Sequence, residues 1–297
     1  MFGKGEICAL LSPLVWAFAV ILFKRSAHAP AGALNIFKNT VGFTLLSVTM
    51  GVLGVDLPVG RSPREWGAVA LSGVLGLAVA DTLLFAGLRR IGAARMAIAD
   101  TVYAPIVVAL SWTFLGERPG GMFAVGAVGV IAGVTLAAVN RRALLQEDVG
   151  ERRNIVIGSL LVVAAISGTA VGIIVVKPML AGANLFEVTW SRLFFGLIAQ
   201  FVWMGVRGEL RETAVALAPG PLWRTLVPAA VLGPYVSLLL WLGGFKWADA
   251  SVAAVLNQMA TIYVLVLARV WLKESLSVQQ VAGALMACAG ALVIVRG

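Results

Sequence analysis

The sequence is poor in the side chains that do covalent and metal chemistry. Its 297 residues hold one histidine, His28, and two cysteines, Cys8 and Cys288. One imidazole cannot build an HExxH zinc site or any centre that needs two. Each cysteine lies in an apolar stretch and reads as a small packing residue. No GxxxxGK[ST] string occurs, so the chain carries no nucleotide-hydrolysing P-loop. Charged residues make up only 12% of the chain, too few to cover a soluble protein of this length. The net charge of +9 sits largely in short connections, where Lys and Arg meet anionic lipid headgroups. No polar module is left over to present a basic face to nucleic acid. No metal site, cofactor or catalytic set is expected. A membrane-embedded enzyme, or a non-transporting sensor or scaffold, is the alternative to a carrier.

What the sequence has in quantity is apolar length. Hydrophobic residues make up 60% of it, in runs long enough to cross a bilayer as helices of ~20 residues. Ten such runs are expected: 7–23, 33–53, 66–88, 93–115, 122–139, 155–176, 185–206, 222–245, 250–272 and 278–295. Their length excludes barrel strands of ~10 alternating residues. The first run is followed by Lys24-Arg25 and then Ala27-His28-Ala29, which mimics a signal-peptide cleavage site. It is read as a span because its counterpart, 155–176, lies in mid-chain. The charged stretch from Asn140 to Arg153 reads as a linker, giving halves 1–145 and 146–297.

The halves repeat each other. Glu117 and Glu274 lie 157 positions apart, and the same ungapped shift pairs many other residues. Val74-Leu75-Gly76 meets Val231-Leu232-Gly233, Gly87 meets Gly244, and Asp100 meets Asn257. Gly126-Ala127 meets Gly283-Ala284, and Ala132-Gly133 meets Ala289-Gly290. Five spans per unit is an odd number, so the second unit enters the membrane from the opposite side. The expected fold class is an all-α membrane protein of ten transmembrane helices in two inverted five-helix repeats, with a polar site near the midplane between them.

Several residues carry a family resemblance. They are Phe85-Ala86-Gly87-Leu88-Arg89, the small-residue start Ala93-Ala94, Pro105 in mid-span, Phe114-Leu115-Gly116-Glu117-Arg118, and Gly126-Ala127…Ala132-Gly133. The second copy keeps Trp271-Leu272-Lys273-Glu274 and Gly283…Gly290, but has Ile262 in place of the proline. From Gly73 to Val139 and from Ala230 to Val295 the chain resembles the EamA-type domain of the drug/metabolite transporter superfamily. The early spans of each half match more loosely. The resemblance implies a ten-helix carrier of small metabolites, usually an exporter in the bacterial inner membrane. The small multidrug relatives use a carboxylate within the first span. Here Glu6 lies at the beginning of that span and 7–23 holds no acid, which makes the analogy to proton-coupled export of lipophilic cations weak.

Ionisable groups within apolar runs mark candidate sites, since each is costly in a bilayer. Asp81 and Asp100 lie in spans joined by a short turn at Arg90 to Gly92, so helical rise puts both at similar depth. They are the candidates for proton coupling or amine binding. Lys38 and Arg192 are the candidates for an anionic substrate group, or for neutralising Asp81, Asp100 or Glu187. Asn35 shares a face with Lys38, and Tyr103 with Asp100. Asn257 and Gln258 stand where Asp100 and Thr101 stand in the first copy. Such amides orient a polar substrate or bond across helices. Trp16, Trp190, Tyr235, Trp241 and Tyr263 could line a cavity or belong to the interfacial aromatic belt. Lys24 and Lys177 read as interfacial cations, and Glu117 and Glu274 as helix-end contacts. A substrate carrying both signs, such as an amino acid, would use both sets. The expected partners are a small-molecule substrate, the lipid bilayer and protons; a homodimer is left open.

Orientation pits two readings against each other. With a cytoplasmic N-terminus, the inside segments hold Lys4, Arg61, Arg64, Arg118, Lys177, Lys246 and Arg296. The outside ones hold Lys24, Arg25, Arg89, Arg90, Arg141, Arg142, Arg152, Arg153, Arg207, Arg211, Arg224 and Lys273. That count favours an external N-terminus, whereas the resemblance implies cytoplasmic termini. Cytoplasmic termini are taken forward. A reporter enzyme fused to the C-terminus is expected to be active in the cytoplasm; periplasmic activity would reverse the orientation.

Overall fold

The computed structural model describes residues 3–24, 31–57, 60–138, 152–271 and 277–296. Most of the expected linker, and Arg25, His28 and Glu274, lie outside the described residues. Among the described residues the secondary structure is helical, and ten helices are long and apolar enough to cross a membrane. The first half comprises α1 (Lys4–Lys24), α2 (Ala31–Leu53), α3 (Pro63–Gly73), α4 (Ala80–Asp100), α5 (Tyr103–Leu110) and α6 (Gly121–Ala138). The second comprises α7 (Arg152–Leu180), α8 (Leu185–Arg207), a short α9 (Leu210–Ala216), α10 (Trp223–Ala230), α11 (Leu238–Trp247), α12 (Ala250–Asn257), α13 (Ala260–Trp271) and α14 (Val278–Arg296).

Local signals set several helix ends. Ser62 and Glu65 form a reciprocal capping box at the start of α3, with Pro63 at its first position, where its missing N–H costs nothing. Gly208 ends α8 at φ 70°, a left-handed conformation that a side chain would strain.

The close approach of α6 and α14 establishes the inversion. A Cβ on Gly126 would sit 2.7 Å from the Gly290 carbonyl oxygen, and one on Gly133 would sit 2.6 Å from that of Gly283. The two helices therefore run antiparallel. The shift of 157 maps the first contact onto the second with the partners exchanged. That is the signature of a two-fold axis through the pair. Small residues give this contact its closeness, because in lipid packing replaces the hydrophobic effect as the adhesive force.

The halves are also interleaved. The first span of each packs antiparallel on the third span of the other. Gly244 lies against Ala9 and Gly233 against Trp16, while Gly87 lies against Gly158 and Val162. The second spans, α2 and α8, are both 23 residues long and start 154 positions apart. They meet through Trp190 Nε1, which donates to Ser47 Oγ at 2.8 Å, and through the Phe43–Trp190 ring contact at 5.1 Å.

The spans around the midplane depart from the uniform helices expected. Both third spans contain a widened π segment, Val74–Val79 and Val231–Ser237, at equivalent places in the repeat. Both fourth spans tighten to i→i+3 bonds at equivalent residues. Thr101 N donates to Ile98 O at 3.2 Å and Val102 N to Ala99 O at 3.2 Å. Gln258 N donates to Val255 O at 3.1 Å and Met259 N to Leu256 O at 3.1 Å. Pro105 accounts for the first break, since it has no N–H for the Thr101 carbonyl. The second copy breaks at the same place with Ile262 there, and nothing local to that residue explains it.

The turn expected at Arg90 to Gly92 is absorbed into α4, which is helical from Ala80 to Asp100. The chain nevertheless reverses within it. Leu84, Met96, Ala99, Tyr103 and Ile106 all pack on one cluster formed by Ile91, Val162 and Ile166, which a straight helix could not arrange. In the second copy the reversal is an open turn at Ala248-Asp249.

Replacing Gly283 by Val is expected to cost at least ~1–3 kcal/mol by overpacking α6 against α14. Gly67, in α3, has open space around its Cβ position. Gly67→Ala is expected to be neutral or stabilising by up to ~1 kcal/mol. Thermal unfolding in detergent measures both, and equal melting points would contradict this packing.

Candidate functional site

A cavity of about 290 Å³ lies between the halves. Its walls come in repeat-related pairs: Gly76 with Gly233, Leu77 with Pro234, Ala80 with Ser237, Asp81 with Leu238, Leu84 with Trp241, Asp100 with Asn257, and Tyr103 with Ala260. The π segments supply Gly76, Leu77, Gly233, Pro234 and Ser237, and Asp100, Tyr103, Asn257 and Ala260 flank the tightened turns. These irregular stretches thus border the cavity, a setting in which a bilayer tolerates them; a third π segment, Ser111–Leu115, ends the fourth span away from it.

On one side, Lys38 of α2 and Asp81 of α4 form an ion pair at 3.0 Å, with side-chain exposures of 10% and 22%. Lys38 Nζ also donates to Asn39 Oδ1 at 3.4 Å. Asn39 Nδ2 then donates to Asn35 Oδ1 and to Gln200 Oε1, each at 3.3 Å. Asn35 Nδ2 and Gln200 Nε2 both donate to the Leu77 carbonyl, at 3.4 and 2.6 Å. That carbonyl belongs to the π segment, and two side-chain amides take it up. Asn35 and Gln200 border a second cavity, of about 600 Å³, on the far side of this network. The amides thus form a polar partition between the two spaces.

On the other side the groups are unmatched. Arg192 is 2% exposed, and its Nε and Nη1 have no hydrogen-bond partner; its guanidinium lies 5.2 Å from the Trp241 ring. Tyr103 Oη and Asn257 Nδ2 are likewise buried without partners. The Asp100 carboxylate makes no ion pair with Arg192 among the described residues, and the Asp100 main-chain carbonyl accepts from Gln258 Nε2 at 3.1 Å. The repeat accounts for the imbalance. Arg192 sits on α8 where Lys38 sits on α2, but the counterpart of Asp81 is Leu238.

Of the candidates from sequence, Asp81, Asp100, Lys38, Arg192, Tyr103, Asn257, Gln258, Trp16 and Trp241 line this cavity. Asn35 faces the second cavity, behind the amide network. Tyr235 points to α2 instead and shares a 2.7 Å hydrogen bond with Thr49. Trp190 stacks on Phe194 and Tyr263 packs on the core, neither at the cavity. Glu187 pairs with Arg61 rather than with Lys38 or Arg192. The sequence reading missed Asn39, Gln200, Ser12 and Ser237. Ser12 and Ser237 exchange hydrogen bonds with each other's main-chain carbonyls, at 2.9 and 3.0 Å, and tie α1 to the second π segment. Uncharged amides and hydroxyls in apolar runs carry no signal that sets them apart.

The end-of-span groups act as helix caps. The Glu117 carboxylate accepts from Ala250 N at 2.7 Å and from Ser251 N at 2.9 Å, at the positive end of α12. Lys177 donates to the Phe245 and Ala248 carbonyls, and Lys246 to those of Leu180 and Ala183, so each closes the other's helix end.

Removing one member of the Lys38–Asp81 pair strands the other. Lys38→Met or Asp81→Asn alone is expected to cost on the order of 2–3 kcal/mol, less than the ~3–5 kcal/mol of a fully buried pair because Asp81 is partly exposed. The double variant is expected to recover most of this in thermal unfolding. Additive losses would mean the two groups do not neutralise each other.

Comparison with known proteins agrees with this architecture. A solved crystal structure superposes over 99% of this chain and 96% of its own with a TM-score of 0.79, at 21% identity, so the two share a fold. A Bacillus subtilis (strain 168) protein named "Uncharacterized transporter YcbK" is 27% identical over 136 residues, which is 44% of this chain and 44% of that protein. The match thus spans less than half of that relative's length. Residues 3–139 and 156–296 each match the EamA-like transporter family. With both inverted halves matched around a shared polar cavity, this multi-pass membrane protein belongs to the EamA-like transporter family.

Proposed function

We propose that the protein is a secondary active carrier that exports a small polar metabolite, with amino-acid-like compounds as the first class to test, across a bacterial inner membrane. One observation carries this reading: the cavity is lined at equivalent positions of two inverted copies. Such a site faces the two sides of the membrane in equivalent ways. Rocking one copy against the other then opens it alternately to each side. Asp81 and Asp100 are the proton-coupling or amine-binding groups. Lys38 and Arg192 receive an anionic group. Tyr103, Asn257 and Gln258 orient what lies between, and Trp16 and Trp241 form apolar wall.

The Lys38–Asp81 pair gives coupling a physical route. A proton on Asp81 removes the negative charge that holds Lys38, and an uncompensated buried lysine is unfavourable. Lys38 then seeks another anion, and the amide network beside it has to rearrange. Because that network separates the two cavities, protonation would bear directly on access.

Flux in proteoliposomes under an imposed proton gradient tests the reading. Amino acids are expected to move against their own gradient when the proton gradient is present. Asp81→Asn and Asp100→Asn are each expected to reduce that coupled flux at least tenfold. Normal transport by both variants would remove the two acids from the mechanism. No gradient-dependent flux of any small polar solute would remove the carrier.

A further inference from the structure

The groups without partners around the central cavity are alike in kind. Arg192 Nε and Nη1 and Asn257 Nδ2 are hydrogen-bond donors, and the Tyr103 hydroxyl can donate. No buried side-chain amide or carbonyl oxygen is unpaired in this way among the described residues; the Asp100 carboxylate lines the same cavity and makes no ion pair with Arg192. Arg192 is the sharpest case, because it is a buried cation. Water could satisfy its N–H groups but could not neutralise it. The guanidinium carbon lies 5.2 Å from the centre of the Trp241 ring, and the unpartnered Nε and Nη1 groups offer two N–H donors to a planar acceptor.

We infer that Arg192, Tyr103 and Asn257 form a carboxylate-receiving subsite, so that substrates of this protein carry a carboxylate. The inference deepens the carrier reading and rests on its placement of the site, but not on transport itself. Arg192 presents its planar fork to the two carboxylate oxygens. The Tyr103 hydroxyl and the Asn257 amide donate to the remaining lone pairs from opposite halves of the chain. Lys38 is held by Asp81 at 3.0 Å and joins in binding an anion only when that pair is broken, so the standing subsite is built on Arg192. A carboxylate fits better than a phosphate. Asp100 lines the same cavity without a paired cation, and a second negative charge on the ligand would be set against it. A cavity of about 290 Å³ matches the lower end of small-molecule sites, about 300–1,000 Å³.

The test uses the purified full-length protein, read by tryptophan fluorescence and by thermal unfolding. The probes are the twenty amino acids and a series of small monocarboxylates, each beside its uncharged carboxamide, and inorganic phosphate. At least one carboxylate is expected to bind, and its amide to bind about 30-fold more weakly or worse. Phosphate is expected not to bind. Arg192→Gln is expected to abolish the preference for acid over amide. If that variant does not fold, Tyr103→Phe serves in its place. It removes one hydroxyl and is expected to weaken the acid by about tenfold and the amide by less, narrowing the acid-over-amide ratio. Amides binding as well as acids, phosphate binding alone, or no binding at millimolar concentration would each overturn the subsite. The two readings fail separately. Acid binding without flux across liposomes retains the subsite and removes the carrier. Coupled flux of an amine that Arg192→Gln does not alter retains the carrier and removes the subsite.

Discussion

Inside a bilayer, a main-chain carbonyl or a charged side chain has no solvent to turn to, and the protein must supply its partner. The architecture can be read as an answer to that requirement. Widened turns at Val74–Val79 and Val231–Ser237, and tightened ones after Asp100 and Asn257, disturb the helical ladder. All four border the space between the halves. Amides and hydroxyls from the opposing half meet them there: Gln200 on the Leu77 carbonyl, Gln258 on that of Asp100, and Ser12 on that of Ser237. A break in one copy is repaired by a side chain from the other, and the halves are held together where they are least regular. A movement of one half against the other would exchange these polar contacts rather than expose them to lipid.

The near-symmetry of the chain makes its exceptions informative. Had both copies kept the same polar set, each cation would face a carboxylate and the cavity would be self-satisfied. Instead the first copy holds Asp81 and Asp100, and the second holds Leu238 and Asn257 at the equivalent places. Lys38 gains a partner and Arg192 does not. Divergence between duplicated halves has produced a site with one neutralised side and one unmatched side. The large-scale geometry stays two-fold, as the α6–α14 contact records. The specificity proposed above rests on the departure from symmetry, and alternating access rests on the symmetry itself.

Much of this was open to reading in the sequence, for definite reasons. Apolar runs report span number because length in a bilayer is a physical requirement, and the ungapped shift of 157 exposed the duplication. Asp81, Asp100, Lys38 and Arg192 stood out because charge is rare in such runs. Which of them pair was not legible, because Lys38 and Asp81 lie 43 positions apart and meet only when α2 packs beside α4. The first π segment and the break without a proline at Gln258 had no local mark, whereas Pro234 lies inside the second π segment. Asn39 and Gln200 were overlooked because an uncharged amide in an apolar run looks like any interhelical bond. Tyr235 was misjudged because an aromatic in a span carries no indication of which neighbour it faces.

The central claim is that the space between the inverted halves is wet and reached in turn from each side. Its most direct test places single cysteines at the repeat-related positions Ala80 and Ser237, in a chain freed of Cys8 and Cys288. A membrane-impermeant thiol reagent is then applied to right-side-out and inside-out vesicles. Both cysteines are expected to react from either side, with the preferred side shifting when substrate or a proton gradient is imposed. Protection of both from both sides under every condition would contradict the account.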